Sequence, residues 1–74
     1  MNIAKDWGVL VRTTRTELGL TQEQLASKLG VTFASVNRWE NGRVTPSRLA
    51  LKQIEALIND MNVETRKRFQ EYFV

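Results

Sequence analysis

Three threonines punctuate this chain in the same way. Each follows an apolar residue and has another four positions ahead: Leu20, Thr21 and Leu25; Val31, Thr32 and Val36; Val44, Thr45 and Leu49. An extended threonine accepts a hydrogen bond from a backbone amide two or three residues on, and the flanking apolar pair clamps the chain's entry, so each set starts a helix. Gln24 can complete a capping box with Thr21, and Pro46 suits the first helical position after Thr45, where a missing N–H is no loss. Starts this close together allow only short helices on tight turns. Before them, Trp7, Val11, Thr14 and Leu18 form one helical stripe with Leu10 beside it, Asp6 can cap it, and Gly19 can close it in the left-handed conformation. No stretch alternates with period two. The reading is an all-α five-helix bundle, with helices near 6–18, 22–29, 33–41, 46–60 and 63–73.

A chain of 74 residues has room for one core, and no repeat, low-complexity run or linker divides it, so residues 1–74 read as a single domain. It contains neither cysteine nor histidine. That removes disulfides, the usual zinc ligands and the usual general base, so the expectation is no enzyme, no metal and no cofactor. No apolar run nears the ~20 residues of a membrane span and no signal-peptide pattern opens the chain, which points to the cytoplasm and away from a membrane partner. Eleven Lys and Arg against eight acids give a net charge of +3, compatible with a polyanionic partner without demanding one. A domain this small buries only about 60–65% of its unfolded surface, so further burial against a second copy is expected.

In "QEQLASKLGVTFASVNRWEN", residues 22–41, Leu25, Leu29, Val31, Val36 and Trp39 are apolar, Ala26 is small where a second helix must cross, and Gly30 stands at the joint. Two short helices on so tight a turn meet steeply, which is the geometry of a helix-turn-helix. Plotted at 100° per residue, Val36, Trp39 and Glu40 share one side of the second helix; Ala34, Asn37, Arg38 and Asn41 share the other, with Phe33 at the boundary. The second set reads either as a solvated helix surface or as a face that suits a groove of DNA, since arginine can pair bidentately with guanine, asparagine with adenine, and alanine or an aromatic edge can meet a thymine methyl. Three readings of Phe33 stay open, namely packing against Val36 and the first helix, meeting thymines, or contacting a protein.

The stretch "GLTQEQLASKLGVTFASVNRWENGRVTPS" resembles the Cro and phage-repressor (XRE-like) helix-turn-helix family, with "LTQEQLA", "LGV" and "WENG" as its most specific pieces. The likeness covers roughly residues 7–58. It implies a lambda-repressor-like DNA-binding domain whose third helix lies in the major groove while the second crosses the backbone. On that basis Phe33, Ala34, Asn37 and Arg38 are expected to contact bases. Gln22, Ser35, Asn41, Arg43 and Thr45 are expected at the DNA backbone, with Gln22 also bracing the third helix. Glu40 faces inward, where a lone carboxylate is expensive, and in relatives the position of Arg15 pairs with it, so Arg15 and Glu40 are expected to form a structural ion pair. Thr14 departs from the family, whose members often carry leucine there. The function implied is sequence-specific binding of double-stranded DNA by a small transcriptional regulator, a repressor, acting as a homodimer on a palindromic operator. The alternative is an antitoxin-type interaction module that binds a toxin or enzyme, with DNA secondary.

Residues 61–74, "MNVETRKRFQEYFV", are less covered by the family pattern. Asn62 can cap a last helix, Glu64 can meet Arg68 and Lys67 can meet Glu71, while Phe69 and Phe73 share a face with Tyr72 adjacent. This helix, about 62–74, is expected to pack on the bundle and to contribute to dimerisation.

Overall fold

Residues 6–70 are described by a computed structural model, so Glu71, Tyr72 and Phe73, with the Lys67–Glu71 pair, lie outside the described residues. The described chain forms five helices: α1 Trp7–Glu17, α2 Gln22–Leu29, α3 Phe33–Glu40, α4 Arg48–Asn59 and α5 Val63–Gln70. Each start is held locally. Asp6 accepts from the amide of Val9, Thr32 from that of Ser35, Ser47 from that of Ala50 and Asn62 from that of Thr65. At α2 the capping box is complete, since the Thr21 hydroxyl accepts from the Gln24 amide while the Gln24 side chain accepts from the Thr21 amide.

The fourth start departs from the sequence reading. Ser47 is the cap, not Thr45, and Pro46 precedes the helix. Val44 is 49% exposed and Leu49 67% exposed, so they form no clamp on the core. Pro46 itself is buried, with Leu51 half-buried at the fourth helical position. Both Thr45 and Ser47 can cap; the later start puts buried Pro46, rather than exposed Val44, in the position just before the cap.

The helices end as cleanly as they begin. At Gly30, φ is +71°, and the amides of Gly30 and Val31 return to the carbonyls of Ser27 and Ala26. This left-handed closure satisfies carbonyls that would otherwise be orphaned, at a conformation only glycine adopts without strain. The same pair of bonds closes α3, where Gly42 donates to Trp39 and Arg43 to Arg38.

Leu10 and Val11 of α1, Leu25, Ala26 and Leu29 of α2, Val36 and Trp39 of α3, Ala50, Ile54 and Ile58 of α4 and Phe69 of α5 form the core. Thr14 is buried among them, and its hydroxyl has no hydrogen-bond partner. α3 packs on both α1 and α2, and α4 also touches both and carries α5. The start of α1 and the end of α3 meet backbone to backbone, because a Cβ at Gly8 would stand 2.7 Å from the Trp39 carbonyl oxygen and 3.1 Å from that of Glu40. α5 ties back to α1 through Arg68, which meets Glu17 at 3.2 Å in place of the expected Glu64. The neighbouring helix offers a carboxylate that competes with the i,i+4 partner.

Candidate nucleic-acid interface

α3 has two unlike faces. Val36, Trp39 and Glu40 are buried, whereas Ala34 and Arg38 are exposed and Phe33 is 50% exposed, so the ring of Phe33 is not tucked into the core. α2 crosses behind, and its first residue, Gln22, is half-buried against α3.

Glu40 is the anchor. Its side chain is 1% exposed, and a carboxylate so deprived of water survives only if its lone pairs find donors. Arg15 Nε donates to one oxygen at 2.7 Å, and Arg15 Nη2 donates to the other at 3.0 Å. Gln22 Nε2 donates to that second oxygen at 3.0 Å, and Arg12 Nε adds a longer contact at 3.4 Å. Arg15 also donates to the Leu20 carbonyl, which ties the arrangement to the turn before α2. Burial alone pushes the Glu40 carboxyl upward, but the hydrogen bonds from Arg15, Gln22 and Arg12 and the Arg15 charge outweigh it and hold the group below the usual glutamate range.

From Glu40 the hydrogen bonds continue toward the exposed side. Asn37 Nδ2 donates to Gln22 Oε1 at 3.2 Å, and Asn41 Nδ2 donates to Asn37 Oδ1 at 3.1 Å. The structure therefore joins five of the residues singled out from the sequence, Arg15, Glu40, Gln22, Asn37 and Asn41, in one network. Ser35 is engaged separately, with the hydroxyls of Ser35 and Thr32 3.0 Å apart at the start of α3. Phe33, Ala34, Arg38, Arg43 and Thr45 stand outside the network, exposed along α3 and the segment after it.

Two contributors were not singled out in the sequence. Arg12 lies one turn before Arg15 on the same face of α1, so the i,i+3 spacing was a usable signal. Gly8 was also legible in principle, because a glycine inside a helix marks either a weakness or a close approach.

A family model described as "Helix-turn-helix" matches residues 11–62, most of the chain. The chain belongs to the Cro and phage-repressor family of helix-turn-helix proteins. Within that family it is 40% identical over 55 residues to an uncharacterized HTH-type transcriptional regulator of Methanothermobacter thermautotrophicus, covering 74% of this chain and 80% of that one. It is 40% identical over 60 residues to the ImmF control region 10 kDa protein of Bacillus phage phi105, covering 80% and 67%. A third relative, an uncharacterized HTH-type transcriptional regulator of Sinorhizobium medicae, is 41% identical over 54 residues, which span 70% of this chain and 37% of that longer one. No solved structure gives a significant match to the chain. Among the described residues no helix is long and apolar enough to cross a membrane.

Proposed function

We propose that this helix-turn-helix protein binds double-stranded DNA by sequence, as a small transcriptional regulator inside the cell, with α3 in the major groove. The observation that carries the reading is the division of α3. One face is held by Val36, Trp39 and the four-donor seat of Glu40, while the other offers Phe33, Ala34 and Arg38 to solvent with no core to fill. A face with one guanidinium beside an alanine and an aromatic edge is what a groove accepts, and a rigid helix presents it at low entropic cost. In this reading Arg38 pairs with a guanine, and Ala34 and Phe33 meet thymine methyls. Gln22, Arg43, Thr45, Ser35 and Asn41 serve the sugar-phosphate chain, which positions the helix without reading sequence.

The names of two relatives as transcriptional regulators and of a third as a control region protein support control of transcription, and the sense of that control in this proposal is repression. One reading head spans few base pairs, so the protein acts as a homodimer on half-sites about 34–36 Å apart. Selecting bound oligonucleotides from a random pool at two salt concentrations tests the sequence-specific binding and the two-fold reading: a symmetric consensus is expected. Binding that depends on salt but is blind to sequence would sink the proposal.

A further inference from the structure

We propose that Asn37 is a positioning residue that holds the Gln22 amide in one orientation and reads no base itself, an inference that rests on the DNA-binding function above. The chemistry of the network has a direction. An ionised carboxylate only accepts, so the amide facing Glu40 presents its NH2 group, which is the contact Gln22 Nε2 makes at 3.0 Å. The Gln22 oxygen then faces the other way and needs a donor, and Asn37 Nδ2 supplies one at 3.2 Å. The Asn37 oxygen is left in turn for Asn41 Nδ2, at 3.1 Å.

Each amide is thereby oriented by the one before it, beginning at a carboxylate seated on Arg15 and Arg12. None of the three flips alone without setting oxygen against oxygen or NH2 against NH2. With its oxygen committed to Asn37, the Gln22 amide keeps a spare N–H, at the start of α2 where the helix dipole also favours an anion. A flipped amide would offer a phosphate the wrong atom.

The same bonds argue against base reading by Asn37. Pairing with adenine uses the oxygen and nitrogen of one amide together in the plane of a base edge, and the bonds of Asn37 to Gln22 and Asn41 take one position on each atom and fix that amide plane within the protein. Turning that amide toward a base would leave the oxygen of half-buried Gln22 without its Asn37 donor. Arg38, exposed one position further along, carries no such commitment and is the base-reading contrast.

The test uses the full chain in two measurements. In the free protein, nitrogen-resolved NMR of side-chain amides should show the Gln22 and Asn41 signals displaced by Asn37→Ala. With the selected DNA site and its single-base variants, Asn37→Ala should weaken every sequence by the same factor, about tenfold or less. The Gln22→Ala/Asn37→Ala double variant should bind no worse than Gln22→Ala alone, since a residue acting only through another adds nothing once that other is gone. Arg38→Ala should instead relax the preference at one base-pair position. The proposal is overturned by a relaxed base preference in Asn37→Ala, by losses that multiply in the double variant, or by an unmoved Gln22 signal. If the unaltered protein selects no sequence, the DNA-binding reading itself fails, and the Gln22 signal in the free protein still decides whether Asn37 holds that amide.

Discussion

Replacing Arg15 with alanine removes three hydrogen bonds at once: two on the Glu40 carboxylate, at 2.7 and 3.0 Å, and one on the Leu20 carbonyl at 3.1 Å. One oxygen of Glu40 loses its donor, while the other keeps Gln22 at 3.0 Å and Arg12 at 3.4 Å. Breaking a buried pair from one side costs about 3–5 kcal/mol, because the surviving charge is stranded. Arg12 is 57% exposed on its side chain and can move inward, so the lower end, about 3 kcal/mol, is expected. For a chain of this size each 1 kcal/mol lowers the melting temperature by about 4–8 °C, which makes the expected drop about 12–24 °C.

The pH dependence follows from the position of Glu40's ionisation. Its folded value lies below the unfolded one, so its contribution is complete above the ordinary glutamate pKa of about 4.3 and is lost as pH falls through the folded value. In Arg15→Ala the stranded carboxylate is relieved by protonation, and the gap between the two proteins narrows on acidification. Thermal and urea unfolding followed by circular dichroism at several pH values measures both effects. Arg15→Met combined with Glu40→Leu should be more stable than Arg15→Ala, since no charge is left behind. A loss under about 1 kcal/mol, the range of exposed pairs, or a gap indifferent to pH would refute the reasoning.

Gly8→Ala sets helix propensity, which favours alanine by about 1 kcal/mol, against a Cβ placed 2.7 Å from the Trp39 carbonyl oxygen; net destabilisation is expected, and a raised melting temperature would show that the two helices separate freely. Ser47→Ala should cost about 1 kcal/mol through loss of the α4 cap, whereas Thr45→Ala should leave stability within about 0.5 kcal/mol, and chemical denaturation distinguishes them. If Arg43 contacts phosphate, Arg43→Ala weakens binding to all sequences alike and reduces the slope of log affinity against log salt by about one, as read from binding titrations across salt concentrations.

Much of this molecule was legible residue by residue, because the interactions that decide helix starts and stops span only a few positions. Thr21 and Thr32 cap their helices on amides three residues away, Gly30 closes α2, and the burial of Val36, Trp39 and Glu40 opposite Ala34 and Arg38 follows from helical geometry. The choice between Thr45 and Ser47 was not legible in that way. Both are competent caps, and what separates them is whether the Pro46 ring or Val44 finds space under the bundle.

The same limit applies to every polar side chain whose partner lies on another helix. Arg12 joining Glu40, Arg68 turning to Glu17, Gly8 admitting the Trp39 carbonyl and Asn37 reaching Gln22 all depend on where two elements stand once packed. The number of helices, their order and the outward face of α3 follow from patterns a few residues long. How the amides of Gln22, Asn37 and Asn41 line up behind that face follows from the packing of α2 against α3. A hydrogen bond needs its two atoms set about 3 Å apart to within a few tenths of an ångström, and across 15 residues of chain only the packed core supplies that.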